Sequence, residues 1–330
     1  MIFSAKYLNI ERKRERKVEI SAVLSSILIM AAMILIGALL ANRIPFTTER
    51  RQLLIAIIIN VAMPCIILNG VFQTKIDSFF LSLVLLTFLG SIIINCLGVF
   101  LGWMAAQAMR VPPDKAKEMA LLSGLGNTGF IGIPLCAALF GPKGALLAAI
   151  FDAGLDFTIW TLGVIMLQRE KKLNFQALKA LINIPMLAIF TGMLVAFFQF
   201  TPPSGVMKLT ETLASLASPL AMIYIGMLIP SMLRKKSSVT LHHISMPLVM
   251  KLCIFPVITA LLLYVLSLPK EVAQIIIVQS TMPSITLASI LFARYSRDEE
   301  YGAAMTVFST LASITTIPFM TMLGFYLVLK

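Results

Sequence analysis

The sequence predicts an all-α integral membrane protein whose ten transmembrane helices form two inverted five-helix repeats, with helices 4 and 9 broken in mid-span. Three observations predict it. The 330-residue chain is 59% hydrophobic and 13% charged, with a mean hydropathy of +0.94, whereas a soluble domain is roughly 45–50% apolar and about 25% charged. The apolar residues gather into ten stretches, each near the ~20 residues that a helix needs to cross ~30 Å of hydrocarbon. Interruptions rich in Gly or Pro then recur at matching places five stretches apart.

The stretches cover residues 20–41, 53–72, 79–106, 118–140, 144–167, 177–199, 207–229, 244–268, 271–293 and 302–329, spans 1 to 10. No long soluble insertion separates them; the widest break runs from Ser231 to His243. The chain therefore divides into a basic tail (1–19), a first repeat (20–167), a short linker (168–176) and a second repeat (177–330). The tail does not read as part of a signal peptide, because the apolar stretch behind it is too long and lacks a small-residue cleavage site.

On a soluble domain, 27 Lys and Arg against 15 Asp and Glu would suggest nucleic acid. Here the basic residues sit between apolar runs, with no basic face and no interleaved aromatics, so no nucleic-acid partner is expected. They report topology instead. Counted together with the first residues of the span that follows, the loops after spans 1, 3, 5, 7 and 9 carry three, three, four, three and two Lys or Arg. Those after spans 2, 4, 6 and 8 carry one each: Lys75, Lys143, Lys208 and Lys270. The positive-inside rule makes the odd loops cytoplasmic and leaves both termini outside. The six basic residues of the tail argue the other way, against four consecutive loop pairs. A multi-pass protein of the cell (inner) membrane, surrounded by lipid, is expected.

Span 2 contains Asn60-Val61-Ala62-Met63-Pro64, and span 7 contains Ala217-Ser218-Pro219. Span 4 is broken by Gly124-Leu125-Gly126-Asn127-Thr128-Gly129, and span 9 by Thr281-Met282-Pro283-Ser284. An offset of five spans inverts one half relative to the other, and interrupted helices at corresponding positions of two such halves point to a transporter site. Gly and Pro stop the helical ladder in mid-membrane, leaving amides and carbonyls that hydrocarbon cannot solvate. Such backbone is tolerated where it lines a cavity, and there a half-helix N-terminus attracts an anion. A Pro kink with no ligand is the plain alternative, and for Pro64 it is the better one. Gly124, Gly126 and Gly129 also spell GxGxxG, but a dinucleotide fingerprint needs a strand before it. These glycines are expected to permit unwinding and close helix crossing.

Asp152 and Asp156 lie one turn apart on one face of span 5. Each costs ~2.5–3.5 kcal/mol at mid-membrane, so each needs a partner or a wet cavity. Two carboxylates this close repel unless a proton or cation lies between them, which is the chemistry of H⁺ or Na⁺ coupling. The alternative is that Asp152 is solvated near the interface and Asp156 is a structural hydrogen-bonding group. Lys251, the one basic residue well inside a span, pairs with an acid or the substrate, or else snorkels to the interface. Asn95 and Gln279 are candidate cavity-lining amides, and His242 and His243 read as solvated loop residues. Cys65, Cys96, Cys136 and Cys253 lie singly in apolar stretches without CxxC spacing, as small buried hydrophobes. The twenty Met residues are scattered, packing material that tolerates sliding helices. No metal or cofactor is expected.

The run Gly126-Asn127-Thr128-Gly129-Phe130-Ile131-Gly132-Ile133-Pro134, with the Pro64 segment, Thr161-Leu162-Gly163-Val164 and Met282-Pro283-Ser284, resembles the auxin efflux carrier family. That family includes plant PIN carriers and bacterial relatives such as malonate carriers, and the resemblance runs from about Val18 to the C-terminus. It implies ten helices in two inverted repeats, helices 4 and 9 crossing at their breaks, and a transport domain sliding elevator-style against a scaffold. It also places both termini outside. Asn127 matches a family Asn that contacts the substrate carboxylate, with Gly126 replacing the family's Pro; Pro283 matches the second crossover. The long cytoplasmic loop of plant members is absent, which favours a bacterial-type organic-anion carrier.

The expected function is therefore secondary transport, as a symport with H⁺ or Na⁺ or without coupling, of a small organic anion, a carboxylate for preference. Gly126, Asn127, Thr128, Pro283, Ser284 and Pro64 are the candidate binding residues, and Asp152, Asp156 and Lys251 the candidate coupling residues. A homodimer is a possible assembly. A channel or membrane sensor is the runner-up. An intramembrane aspartyl hydrolase is disfavoured because both acids lie on one helix rather than facing each other, and no enzyme activity is expected.

Overall fold

The structure is a computed structural model describing residues 25, 28–44, 47–168, 179, 182–234, 241–295 and 298–328. The expectations for the tail at 1–19 and for residues 169–176 of the linker lie outside these. Every regular element among the described residues is helical. They are α1 (Leu28–Arg43), α2 (Glu49–Phe72), α3 (Ser78–Ala108), α4 (Pro113–Gly124), α5 (Thr128–Leu167) and α6 (Ile184–Phe197). There follow α7 (Ser204–Ala214), α8 (Ala217–Arg234), α9 (His243–Leu266), α10 (Lys270–Ser280), α11 (Ala288–Tyr295) and α12 (Glu299–Val328).

Among the described residues six helical stretches are long and apolar enough to span a bilayer: α2, α3, α5, α7 running on into α8 as far as Pro230, α9 and α12; α1 and α6 are shorter apolar helices. Large side chains such as Leu28, Ile93, Phe190, Phe197 and Val265 stand on their outer faces, Phe197 at 79% exposed. In water so much apolar surface would be a liability; in lipid it is the solvent-matched face. This is a multi-pass membrane protein.

Proline explains most departures from regular helix. Three π-turns, Ile58–Ala62, Thr128–Gly132 and Met250–Ile254, each end two residues before a proline: Pro64, Pro134 and Pro256. The ring has no N–H to return to the carbonyl four residues back and crowds that carbonyl, so the turn before it widens by one residue. A fourth, Ile159–Gly163, has no such proline. Pro64 thus marks a widened turn in a continuous helix, which is the kink reading rather than a break.

The fourth and ninth stretches do break. After Gly124 the chain turns extended at Leu125 (φ −91°, ψ 131°), and α5 begins at Thr128. After Ser280, Pro283 cannot continue the ladder and the residue before it is pushed from helical geometry; helix resumes at Ala288. The two extended segments pair through one antiparallel bridge, Gly126 with Ser284. Asn127 N donates to Pro283 O at 2.7 Å and Ile285 N to Leu125 O at 3.2 Å. Each break thus satisfies part of the other's backbone.

The loop expected between spans 4 and 5 is reduced to an elbow. Residues 128–140 and 142–167 form two helical limbs joined at Gly141, whose φ of 68° an L side chain rarely adopts. Gly124 and Gly126, by contrast, have negative φ; what they need is closeness. A Cβ on Gly124 would collide with the Val99 amide of α3, and one on Gly126 would stand 3.1 Å from Lys251 Nζ. Two apolar cores flank the crossing. One gathers Ile67, Leu83, Ile133, Leu146, Ile276 and Met282, the other Leu121, Leu125, Ile159, Ile285, Phe292 and Tyr301.

Candidate functional site

Beside the bridge lies a cavity of about 570 Å³. It is lined by the start of α5 (Asn127, Thr128, Gly129, Phe130), by Asp152, Asp156 and Trp160 further along α5, and by Ile285, Thr286, Leu287, Ser289 and Ile290 at and before the start of α11. Its other wall comes from Arg51, Ile55, Ile59 and Met63 of α2, Asn183 and Pro185 at the start of α6, and Tyr224 of α8.

Of the residues expected at the site, the structure brings Gly126, Asn127, Thr128, Asp152 and Asp156 together around this space. Pro64, Pro283, Ser284 and Lys251 are not among its lining residues. Pro283 and Ser284 act from behind. The Pro283 carbonyl holds the Asn127 amide, and the Ser284 hydroxyl donates to the carbonyl of Leu122 at 2.7 Å, capping the end of α4.

The two carboxylates are held by amide and hydroxyl donors. Thr128 Oγ1 donates to Asp152 Oδ1 at 2.5 Å, and Asn183 Nδ2 donates to Asp156 Oδ2 at 2.9 Å. Asn183 is also the N-cap of α6, its Oδ1 accepting from Met186 N at 2.9 Å. The Asp152 carboxylate lies so close to the α5 backbone that a Cβ on Gly129 would fall 2.6 Å from Oδ2. The elbow makes this possible: it folds the second limb of α5 back along the first, bringing residues 24 apart into contact.

Asn127 is 6% exposed, and its side-chain amide meets no protein partner among the described residues. The first-turn amides of α5 have no acceptor within their own helix. Across the cavity, Arg51 Nε donates to Tyr224 Oη at 3.0 Å, and Tyr224 meets the Phe130 ring edge-on at 4.9 Å between centroids. Arg51 is the one cationic side chain lining the cavity among the described residues. In the sequence Arg51 counts as a topology determinant, and neither Asn183 nor Tyr224 stands out as a site residue. An Asn directly before Ile184-Pro185 is a readable N-cap signal; nothing local marks Tyr224.

The two candidate cavity-lining amides lie elsewhere. Asn95 donates to Ser91 O at 2.8 Å and Gln279 to Ala148 O at 3.3 Å, both buried and away from the cavity. His243 is the first residue of α9, and the helical backbone extends N-terminally through His242 to Leu241, so neither His lies in a loop. Lys251 does not snorkel: it is 1% exposed.

A multi-pass helical protein with paired broken helices beside a largely apolar cavity that holds two carboxylates has the construction of a membrane transport protein. Residues 22–177 and 171–321 match the family described as Membrane transport protein, and the chain belongs to that family, the auxin efflux carriers of the sequence resemblance. It is 26% identical over 301 residues to an uncharacterised transporter of Methanocaldococcus jannaschii, covering 88% of this chain and 95% of the relative. It is 23% identical over 295 residues to an uncharacterised transporter of Methanothermobacter thermautotrophicus, covering 89% and 95%. It is 22% identical over 306 residues to a protein of Rhizobium meliloti carrying the provisional name of malonate transporter, covering 86% and 90%.

Proposed function

We propose that the chain is a secondary transporter of small organic anions, carboxylates first among them, working by an elevator-type alternating-access movement. One observation carries the proposal: the two helix breaks meet at the Gly126–Ser284 bridge and open onto a cavity holding both free anion donors and a carboxylate pair. The Asn127 amide, the first-turn amides of α5 and the Thr286 and Ser289 hydroxyls are donors of the kind that recognise a carboxylate. Arg51 stands at the opposite wall as a charge partner for the incoming anion.

The same cavity holds Asp152 and Asp156, which repel an anion. Neutralising them with a proton or Na⁺ removes that repulsion, so anion entry and cation entry become linked. That linkage is symport. In this reading the ten spans form two inverted five-helix repeats in the cell membrane with both termini outside, and the unit carrying the crossing slides against the rest. The relative named for malonate supports the substrate class.

The test is uptake into proteoliposomes across a panel of mono- and dicarboxylates, under imposed pH and Na⁺ gradients. A saturable uptake driven by one of those gradients is expected. No movement of any carboxylate under any gradient would remove the substrate class.

A further inference from the structure

Lys251 is the largest charged side chain that the fold buries completely, at 1% exposed, and the cavity does not account for it. Among the described residues it has no acidic partner. Its ammonium donates to Ser280 O at 3.3 Å and to Gly124 O at 3.5 Å, and lies 4.5 Å from the centre of the Phe255 ring. Gly124 and Ser280 are the last residues of α4 and α10. One cation therefore faces the C-terminal ends of both half-helices at once.

Those ends pose a particular problem. The last four carbonyls of a helix have no intrahelical donor, and each terminus carries about −0.5 charge. Most carbonyls here find neutral partners. Leu121 O takes Leu125 N, Leu122 O takes the Ser284 hydroxyl, Ile277 O and Val278 O take Thr281 N, and Gln279 O takes Met282 N. The Gly124 and Ser280 carbonyls are left to the ammonium. In transporters with broken helices such C-terminal ends and unwound carbonyls coordinate a metal cation such as Na⁺.

We infer that the Lys251 ammonium is a tethered cation filling a monovalent-cation site at the crossing of α4 and α10, so that the protein needs no free Na⁺ there. The π-turn Met250–Ile254 places Lys251 toward the crossing, and Gly126 leaves room for its Nζ. The inference concerns the back of the crossing and stands whether or not the cavity carries carboxylates.

Thermal unfolding of purified full-length protein tests it, in choline chloride against sodium, potassium, ammonium and methylammonium chloride at equal ionic strength. The unfolding temperature of the native protein in each salt is the baseline, which takes up any Na⁺ bound at the Asp152–Asp156 pair, and recovery is counted beyond it. Lys251→Ala should unfold earlier in choline and recover in at least one small cation, by about 3 °C once that cation reaches ten times its dissociation constant. Lys251→Met fills the space without charge and should show no recovery. A Lys251→Ala protein destabilised equally in all salts would overturn the inference, as would native stability in Lys251→Met. If Lys251→Ala cannot be purified, the folded yields of Lys251→Arg and Lys251→Met decide: retention in Arg with loss in Met is expected, and equal yields would overturn it.

Discussion

Gly129→Ala probes how closely the two limbs of α5 must approach at the carboxylate. The new Cβ would stand 2.6 Å from Asp152 Oδ2, against about 3.4 Å for ordinary contact. The carboxylate must retreat by the difference, about 0.8 Å, because the Cβ belongs to helix backbone that cannot yield. The bond from Thr128 Oγ1, now 2.5 Å, then stretches toward the ~3.2 Å limit of useful hydrogen bonds. A hydrogen bond to a charged group contributes about 1.5–3 kcal/mol, which is roughly 10- to 100-fold in an equilibrium constant. The half-saturating concentration of the coupling cation in proteoliposome uptake should shift by that factor. Gly205→Ala is the control, since its Cβ would meet nothing within 4 Å. A Gly129→Ala protein with the cation dependence of the control would refute the idea that Asp152 must be held by Thr128 to bind its cation.

Asn127→Ala removes the side-chain amide without touching the backbone bond to Pro283, so it should weaken substrate affinity roughly 10-fold or more with little change in melting temperature; unchanged counterflow would deny Asn127 a binding role. Ser284→Ala leaves the buried Leu122 carbonyl without its donor and should cost about 1–3 kcal/mol of stability, read as a lowered unfolding temperature in detergent. Asn183→Ala removes the cap of α6 and the donor to Asp156 together; loss of the cap alone should cost about 1 kcal/mol, while the freed carboxylate should alter the cation dependence of uptake, and Asn183→Ser should rescue the stability but not the transport. Arg51→Gln should raise the half-saturating anion concentration and Tyr224→Phe should do so less, with equal effects in the two variants arguing that the hydrogen bond matters more than the charge.

What the sequence made legible is what short spacings control. The Asp152–Asp156 pair follows from four-residue spacing on one helix, and the breaks follow from Gly and Pro in apolar runs. The three proline-linked π-turns are equally local, each two residues before its proline. The far wall of the cavity was not legible. Arg51, Asn183 and Tyr224 come from three helices, and which Arg at a span end joins a site depends on tertiary packing that counting basic residues does not reach. Lys251 shows the same limit: whether a long cation reaches outward or inward depends on whose carbonyls point at it. Pro64 shows the reverse case, a conspicuous residue that shapes a helix yet stays out of the lining.

The elbow at Gly141 has a consequence for fidelity. Thr128 and Asp152 belong to limbs of one hairpin, with a single glycine as its corner and their own side chains clasped across it. A motion large enough to carry the crossing from one side of the bilayer to the other would have to take both as passengers. Cargo and counter-charge would thus leave on the same vehicle, and slippage of one without the other would require prising the hairpin apart.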